Sequence, residues 1–222
     1  MRELSEVVRS RRMTRAFDTR PVPREVLDEL VDLGSRAPSA GKTQGWHLIV
    51  LEGAETARFW DITLPPMRRG AFRWKRLLDA PVIAIPLADP RAYVARYSEA
   101  DKRASGLGAG PEAWPAPYWT VDTSMSVMTM LLAAEDAGLG ALFFGIFRGE
   151  RQLRRTLGIP NVMQILGALA IGYAAPADPT PPAGADDTGA FGSGRSAPRK
   201  RRTPDEIIHR GGWHSPSDRV AT

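Results

Sequence analysis

Four compact apolar runs divide the chain and constrain its fold more than any other feature. They cover residues 46–51, 82–88, 140–147 and 164–174. Each is shorter than the ~18 residues of a membrane-spanning helix, and each has the character of a buried strand. Helical patterns occupy the intervening segments 4–10, 23–36, 54–64, 69–79, 118–137 and 149–157. Strands mixed with helices in this way predict a chain of both α and β structure around one core.

Composition excludes several classes of site. The 222 residues are 43% hydrophobic and 25% charged, which predicts a globular domain. Because the chain has no cysteine, it holds no disulfide, no thiolate nucleophile and no Cys-type zinc site. His47, His209 and His214 lack metal-ligand spacing, so no metal is expected. The first residues lack the apolar segment of a signal peptide, and we expect a cytoplasmic protein with no membrane partner.

The net charge of +5 is compatible with nucleic acid, a membrane surface or small anionic ligands. Arginines are dispersed along the chain, and the only basic run is 199–202. No aromatic-rich platform accompanies them, which argues against a nucleic-acid partner.

Two segments near the N-terminus could bind a ligand. Arg11, Arg12 and Arg15 place three guanidiniums within five residues, a pattern that suits a phosphate but also a solvated basic turn. Residues 36–46 join a helix to a strand through small residues, which would let the backbone approach a flat ligand. An ordinary helix-to-strand connection is the alternative for this second segment.

Two further candidates follow. Residues 138–147 form an apolar strand containing Gly145, which suits either close approach of a ligand or a plain core strand. Lys200 and Arg202 precede a short helix that begins with a capping box, Thr203 to Glu206. They could bind an anion at the helix start or could simply form a solvated charge run.

In this order and spacing, the four segments resemble the FMN-dependent nitroreductase family. The first matches Arg-Arg-Ser-x-Arg-x-Phe, with Met13 in place of serine. The second matches Ala-Pro-Ser-x-x-Asn-x-Gln-Pro-Trp, with Lys42 for asparagine and Gly45 for proline. The third matches a Gly-Leu-Gly segment along the flavin, and residues 202–213 match the closing arm of the family.

The resemblance implies an α+β fold in which helices surround a small, mainly antiparallel sheet. It also implies an intertwined homodimer with FMN at the interface. Residues 1–174 would form the flavin-binding domain, with 89–117 as a lid or excursion. Residues 175–222 would be a flexible tether and a C-terminal arm of the same domain, ending in a short helix.

The resemblance also assigns cofactor contacts to all four segments. Arg11 and Arg202 would meet the FMN phosphate, with Lys200 as a further cation. Arg12 and Met13 would flank the ribityl chain and ring, Arg15 the pyrimidine edge. Phe144 and Gly145 would lie against the ring. The remaining implied contacts come from the second segment, in part from the other subunit: Pro38, Ser39, Ala40 and Gln44. Trp114 and Tyr118 would cover the substrate.

The implied activity is NADH- or NADPH-driven reduction of a small organic acceptor, a nitroaromatic, a quinone or a similar molecule. The flavin does the chemistry, so no catalytic side chain is expected, and ping-pong kinetics follow. Alternatives within the fold are dehalogenation, enoate reduction and deazaflavin-linked chemistry; a non-catalytic flavin-binding module is another. Gly145 stands where many members have an acidic residue and Lys42 where asparagine is usual, and both departures bear on the acceptor. Met125, Met128 and Met130 are interpreted as core residues.

Overall fold

The computed structural model describes residues 2–175 and 200–213, which belong to two compact units that are treated separately. The first unit contains one five-stranded sheet in the order β1-β2-β5-β3, with β4 also paired to β2. Every strand pair is antiparallel. The predicted sheet type is therefore confirmed. The strands are β1 (Trp46–Glu52), β2 (Val82–Ala88), β3 (Gly140–Phe144), β4 (Gln164–Ile165) and β5 (Ala168–Gly172).

Helices flank this sheet, and most of them lie where their spacing predicts. Two helices dominate the packing: the second of the chain and the 19-residue helix that precedes β3 contact each other extensively. The helices of the first unit are α1 (Leu4–Ser10), α2 (Arg24–Ser35), α3 (Ala57–Thr63), α4 (Pro66–Arg69), α5 (Pro90–Tyr97), α6 (Tyr118–Asp136) and α7 (Glu150–Leu157).

Strand β2 lies at the centre of the sheet and of the core. All seven of its residues are buried, and Ile83, Ala84 and Ile85 have no exposed surface. A strand covered on both faces has no reason to alternate apolar and polar residues. The continuous apolar run at 82–88 is thus the expected signature of this position. Helices α2 and α6 contribute Leu27, Leu30, Val127 and Met130 to the same core.

The predicted strand 164–174 is interrupted in the middle. Ala84 pairs with Leu169 and Leu87 pairs with Ile165, so three steps along β2 correspond to four along its partner. The extra residue makes a bulge opposite Pro86, which has no N–H to donate to the ladder. Gly167 adopts φ +149° within this bulge. Sequence periodicity alone could not reveal the break.

Two other predicted elements are wrong in their extent. The third strand ends at Phe144 rather than at residue 147, because its partner β5 begins at Ala168 and offers no further ladder. The predicted helix 69–79 is absent, and only a short 3-10 turn, Lys75–Leu77, remains of it. The Arg76 carbonyl accepts the Phe17 N–H, so this segment pairs with the extended chain near residue 17 instead of coiling.

The 89–117 segment is ordered rather than a bare loop. It holds α5 and three short 3-10 turns, Arg103–Ser105, Leu107–Ala109 and Pro111–Ala113. Aromatic contacts fix its far end. Trp114, 8% exposed, lies 4.6 Å from Tyr97 between ring centroids. Its role as a lid stays a prediction.

Helix α6 corrects the interpretation of the methionines. Met130 is 1% exposed and belongs to the core, whereas Met125 and Met128 are about 40% exposed in this chain, at 38% and 41%. The same outward side carries Tyr118 and Val121, each 39% exposed. We call these four residues the α6 outer stripe. Apolar residues therefore surround this helix, a pattern typical of a helix that is covered on more than one side.

The second unit, described over residues 200–213, contains one short helix, α8 (Pro204–Ile207). The predicted capping box is present: the Thr203 amide donates to the Glu206 carboxylate at 2.5 Å. The helix ends at Ile207, before Gly211 and Gly212. The predicted tether lies outside the described residues over 176–198. In the described part of the chain, no helix is long and apolar enough to cross a membrane.

Candidate functional site

The arginine-rich segment lies along the free edge of β3. Met13 forms a parallel bridge with Ala141, and the Thr14 amide donates to the Ala141 carbonyl at 3.0 Å. Extended backbone at residues 13–14 therefore runs beside the strand that carries the third candidate segment. Two of the four segments identified in the sequence come together by main-chain hydrogen bonding.

Gly140 makes this approach possible. A Cβ at residue 140 would lie 2.7 Å from the Cγ2 and Oγ1 atoms of Thr14, closer than real Cβ contacts. Packing within the chain thus explains the second glycine of the Gly-Leu-Gly segment, because a glycine at residue 140 leaves room for the Thr14 side chain. That reason is independent of any ligand.

Arg11 has an unsatisfied buried donor. Its Nη1 atom is buried and has no hydrogen-bond partner in the described structure. A charged donor without an acceptor is unfavourable, because it loses its solvation without compensation. An anion beside Arg11 would supply that acceptor. Such an orphaned guanidinium nitrogen fits the phosphate of a nucleotide.

Arg15 offers a second cation on the same segment. Its guanidinium donates to the Met13 carbonyl at 3.2 Å and lies 5.4 Å from the centre of the Trp74 ring. The residue is exposed, and no ion pair neutralises it within the described chain. Arg11 and Arg15 together make this edge of the sheet electropositive.

Arg12 is engaged locally. Its Nη1 donates to three carbonyls at the end of α1, those of Arg9, Ser10 and Arg11, at 2.7–3.0 Å. Such bonds satisfy orphan carbonyls at a helix C-terminus. A cofactor contact by Arg12 stays a prediction, and it would have to use the remaining donors of the guanidinium.

At the end of β3, the chain presents an aromatic surface. The Phe144 ring stacks on Trp60, with centroids 5.9 Å apart and planes 3° apart. Beyond it, a Cβ at Gly145 would lie 2.8 Å from the far end of the Phe147 ring. Gly145 therefore lets Phe147, itself 65% exposed, lie against the backbone. The rings of Phe144 and Phe147 make this part of the surface aromatic.

Within the second candidate segment, 36–46, residues 38–45 have an unusual backbone. Gly41, Lys42 and Gln44 all adopt left-handed conformations, with φ of 61°, 55° and 52°. The Gln44 amide donates to Ser39 Oγ at 3.0 Å, and the Gln44 side chain donates to the Ser35 carbonyl at 3.2 Å. We call this segment the 38–45 loop. Within the described residues, no hydrogen bond links it to residues 11–15 of the same chain.

One residue of this region escaped the sequence analysis. Asp122 on α6 is 4% exposed, and its Oδ2 accepts the Ala40 amide at 2.8 Å and the Tyr93 hydroxyl at 2.9 Å. Burial, with the adjacent Asp122 carboxylate, raises the pKa of Tyr93 far above its ordinary value, so Tyr93 stays a donor. A carboxylate inside an apolar helix was the signal available in the sequence.

Trp114 and Tyr118 occupy different environments. The Trp114 indole donates to the Leu107 carbonyl at 3.0 Å inside the aromatic cluster. Tyr118 lies 5.8 Å from it, between ring centroids, on the α6 outer stripe. Trp114 is therefore placed to support Tyr118. The substrate-covering role of both stays a prediction.

Lys200 and Arg202 belong to the second unit. Both are exposed there, and the Arg202 guanidinium donates to the Glu206 carbonyl at the end of α8. Their assignment to the phosphate stays a prediction.

Comparison with known proteins identifies the fold and its relatives. The model of the Nitroreductase family matches residues 8–173. An NADH dehydrogenase of Thermus thermophilus is 30% identical over 74% of this chain and 83% of its own. An Archaeoglobus fulgidus protein assigned as an NADH dehydrogenase/NAD(P)H nitroreductase is 28% identical over 78% of this chain and 86% of its own.

Solved structures share the architecture at lower identity. A Desulfovibrio desulfuricans protein assigned as a nitroreductase, solved in complex with FMN, matches with a TM-score of 0.62 and 20% identity, covering 96% of this chain and 99% of that one. A nitroreductase family protein of Clostridium difficile matches with a TM-score of 0.63 and 19% identity, covering 96% of this chain and 100% of that one. At this identity the likeness establishes the fold.

Proposed function

Because the chain belongs to the nitroreductase family, a family of oxidoreductases, we propose that it binds FMN and uses NADH or NADPH to reduce a small organic acceptor. A nitroaromatic or a quinone is the acceptor class that the resemblance favours. The Desulfovibrio neighbour was solved with FMN, and the relatives carry nicotinamide-linked names.

The observation that carries the proposal is the buried, unpartnered Nη1 of Arg11. The Thr14–Ala141 hydrogen bond holds this arginine beside the strand that presents Phe144 and Gly145. Arg11 would hold the phosphate. Phe144 and the Gly145 backbone would contact the ring, while Met13 and Arg12 would lie along the ribityl chain.

The residues of this chain would act by binding and electrostatics. FMN, when bound, supplies the two-electron chemistry. Arg15 places a fixed positive charge that would stabilise negative charge at the pyrimidine edge of the reduced cofactor. No side chain is required as acid or base. Reductant and acceptor would use the same exposed face in turn, which gives ping-pong kinetics.

A homodimer would complete the site. The α6 outer stripe, Tyr118, Val121, Met125 and Met128, leaves four large apolar side chains 38–41% exposed on one side of one helix. An apolar patch of this kind marks an interaction surface. A second copy seated there would cover the stripe. Pro38, Ser39 and Ala40 would then contact FMN bound to the partner, with Gln44 fixing their loop.

Two departures from the family pattern, Lys42 and Gly145, bear on the acceptor, and the second lies just after β3. Many members carry an acidic residue where this chain has Gly145, and here the Phe147 ring lies against that glycine. An aromatic wall favours a flat acceptor that can stack against it.

A spectroscopic experiment tests the proposal. The purified protein, supplemented with FMN if it is colourless, should show a flavin spectrum that bleaches when NADH or NADPH is added without oxygen. Added nitroaromatic or quinone should restore it. A protein that takes up no FMN would refute the proposal. A yellow protein that neither nicotinamide bleaches would point to a deazaflavin donor or to a non-catalytic flavin module.

A further inference from the structure

Asp122 is a buried carboxylate that forms no ion pair within the described residues. It is 4% exposed, and in the described chain its partners are two neutral donors, the Ala40 amide and the Tyr93 hydroxyl. Aspartate is rarely buried without a charged partner, because desolvation of the charge is unfavourable. Both donors belong to elements distant in sequence, the 38–45 loop and α5. The Oδ2 atom of Asp122 therefore links three elements: α6, the 38–45 loop and α5.

Helix α5 also packs against the same loop. The Tyr93 ring packs so closely on Gly45 that a Cβ there would lie 2.7 Å from it. Tyr97 approaches Gly41 in the same way, with a Cβ-to-ring distance of 2.9 Å. Between them, Arg96 Nε donates to the Gly41 carbonyl at 3.0 Å. The side chains of Tyr93, Arg96 and Tyr97 thus contact one loop from one face of α5.

The loop needs such support. Lys42 and Gln44 hold left-handed backbone conformations that side-chain-bearing residues rarely adopt. Strained backbone persists only where surrounding structure over-determines it, and it concentrates at functional sites. Because Gly45 stands where the resemblance expects proline, a rigid ring does not stiffen the chain at that position.

We infer that Asp122 is a positioning residue, which through its hydrogen bonds to Ala40 and Tyr93 holds the 38–45 loop in the shape that contacts FMN. The inference rests on the proposed function, since it gives the loop its purpose. It also assigns the 89–117 segment a second role, as a brace for the loop through α5.

A variant series tests this. Asp122→Asn keeps one acceptor oxygen for the Ala40 amide, Asp122→Ala removes both bonds, and Tyr93→Phe removes one while keeping the ring against Gly45. Ser126→Ala is the matched control. Ser126 is also buried on α6, at 3% exposure, but in the described part of the chain its hydroxyl donates to the Asp122 backbone carbonyl of the same helix.

Two readouts are needed in each variant: FMN affinity by flavin fluorescence, and hydrogen–deuterium exchange of the peptide covering 38–46. We expect Asp122→Ala to weaken FMN binding about tenfold or more and to accelerate exchange in this peptide, because the Ala40 amide loses its acceptor. Tyr93→Phe should weaken FMN binding and accelerate exchange to a smaller extent. Asp122→Asn should retain most of the wild-type FMN affinity. Ser126→Ala should leave both unchanged.

The outcomes separate the two proposals. If Asp122→Ala binds FMN like the wild type, or if loop exchange does not rise, the positioning role is wrong. Equal losses in Asp122→Ala and Ser126→Ala would also overturn it, since that would indicate a general packing defect. A wild-type protein that binds no FMN would instead refute the proposed function.

Discussion

The Thr14 amide donates to the carbonyl of Ala141 at 3.0 Å, and this bond places the arginine-rich segment on the edge of β3. Because main-chain atoms make the contact, the side chains of Arg11 and Arg15 remain available for a ligand. The geometry of the candidate site thus depends on the close fit of Thr14 against Gly140.

Adding one methyl group at residue 140 should destabilise the protein. Gly140→Ala forces a Cβ to within 2.7 Å of Thr14 in a buried strand, and such overpacking costs about 1–3 kcal/mol. Gly145→Ala is the control, because its close contact is the movable tip of the exposed Phe147 ring. Urea unfolding of the two apo-proteins should show a clear decrease in unfolding free energy for Gly140→Ala only. Equal decreases in the two variants would contradict this account.

Arg11→Ala should separate stability from cofactor binding. Removing a buried charged donor that lacks a partner should leave the apo-protein no less stable. FMN affinity should nevertheless fall about tenfold or more, as expected for loss of a charge-assisted phosphate contact. Arg9→Ala, at an exposed position in the last turn of α1, should leave FMN affinity unchanged. Thermal unfolding with and without FMN measures both effects, and equal FMN affinity in the two variants would exclude Arg11 from the site.

Placing a charge on the α6 outer stripe should disrupt the proposed dimer. Met125→Asp puts a carboxylate in the middle of that stripe, where burial against a second copy would be unfavourable. Sedimentation velocity should show a shift toward monomer together with weaker FMN binding. As a control, Val162→Asp changes another exposed apolar residue, 48% exposed, which is not part of α6. A wild-type monomer, or a Met125→Asp dimer, would rule out this interface.

Acid should weaken the start of α5. Asp89 accepts the Arg91 amide at 3.0 Å, capping the helix, and its carboxylate pairs with the Arg91 guanidinium. Burial raises the pKa of Asp89, but the hydrogen bonds from Arg91 outweigh it, so the pKa lies below the ordinary 3.8. The stabilisation is therefore complete above pH 3.8 and is lost as pH falls through the lower folded value.

Asp89→Ala should accordingly cost about 1 kcal/mol of unfolding free energy at pH 7. The difference from wild type should close in strongly acidic solution, where the wild-type carboxyl is protonated as well. Unfolding curves at pH 7, 4 and 2.5 provide the measurement. A gap that persists at the lowest pH would mean that the cap acts without its charge.

The left-handed backbone at residue 42 gives a simple stability test. Lys42→Asn installs a residue that tolerates φ near 55°, so it should raise the unfolding free energy by roughly 0.5–1 kcal/mol. Lys75→Asn, at an exposed position outside the left-handed region, should not. If Lys42 also contacts the acceptor, the first variant will change the acceptor KM, which the steady-state kinetics would report.

Local signals in the sequence predicted the local structure well. The apolar runs located β1 and β2, and the Thr203–Glu206 pair located the capping box of α8. These features depend on neighbours within a few residues, which a sequence displays directly. The Arg11–Arg15 segment was singled out as a candidate site, which stays a prediction, and its position beside β3 came only with the structure.

Features that depend on distant partners were missed for physical reasons. The bulge opposite Pro86 needs the alignment of two strands, and the tie from Asp122 to Ala40 spans 82 positions. Met125 and Met128 were interpreted as core because apolar residues surround α6. A periodicity argument has no means to choose a side in such a helix.

The apolar residues on several sides of α6 bear on how this helix is oriented in the fold. Turning the helix by one residue rotates it about 100° about its axis and would exchange one apolar side for another at little loss in buried hydrophobic area. It would also carry Asp122 out of reach of Ala40 and Tyr93. The hydrogen bonds of this single carboxylate thus fix the rotation of the helix about its axis. By fixing which side faces the sheet, they also select which four apolar residues are presented to the outside.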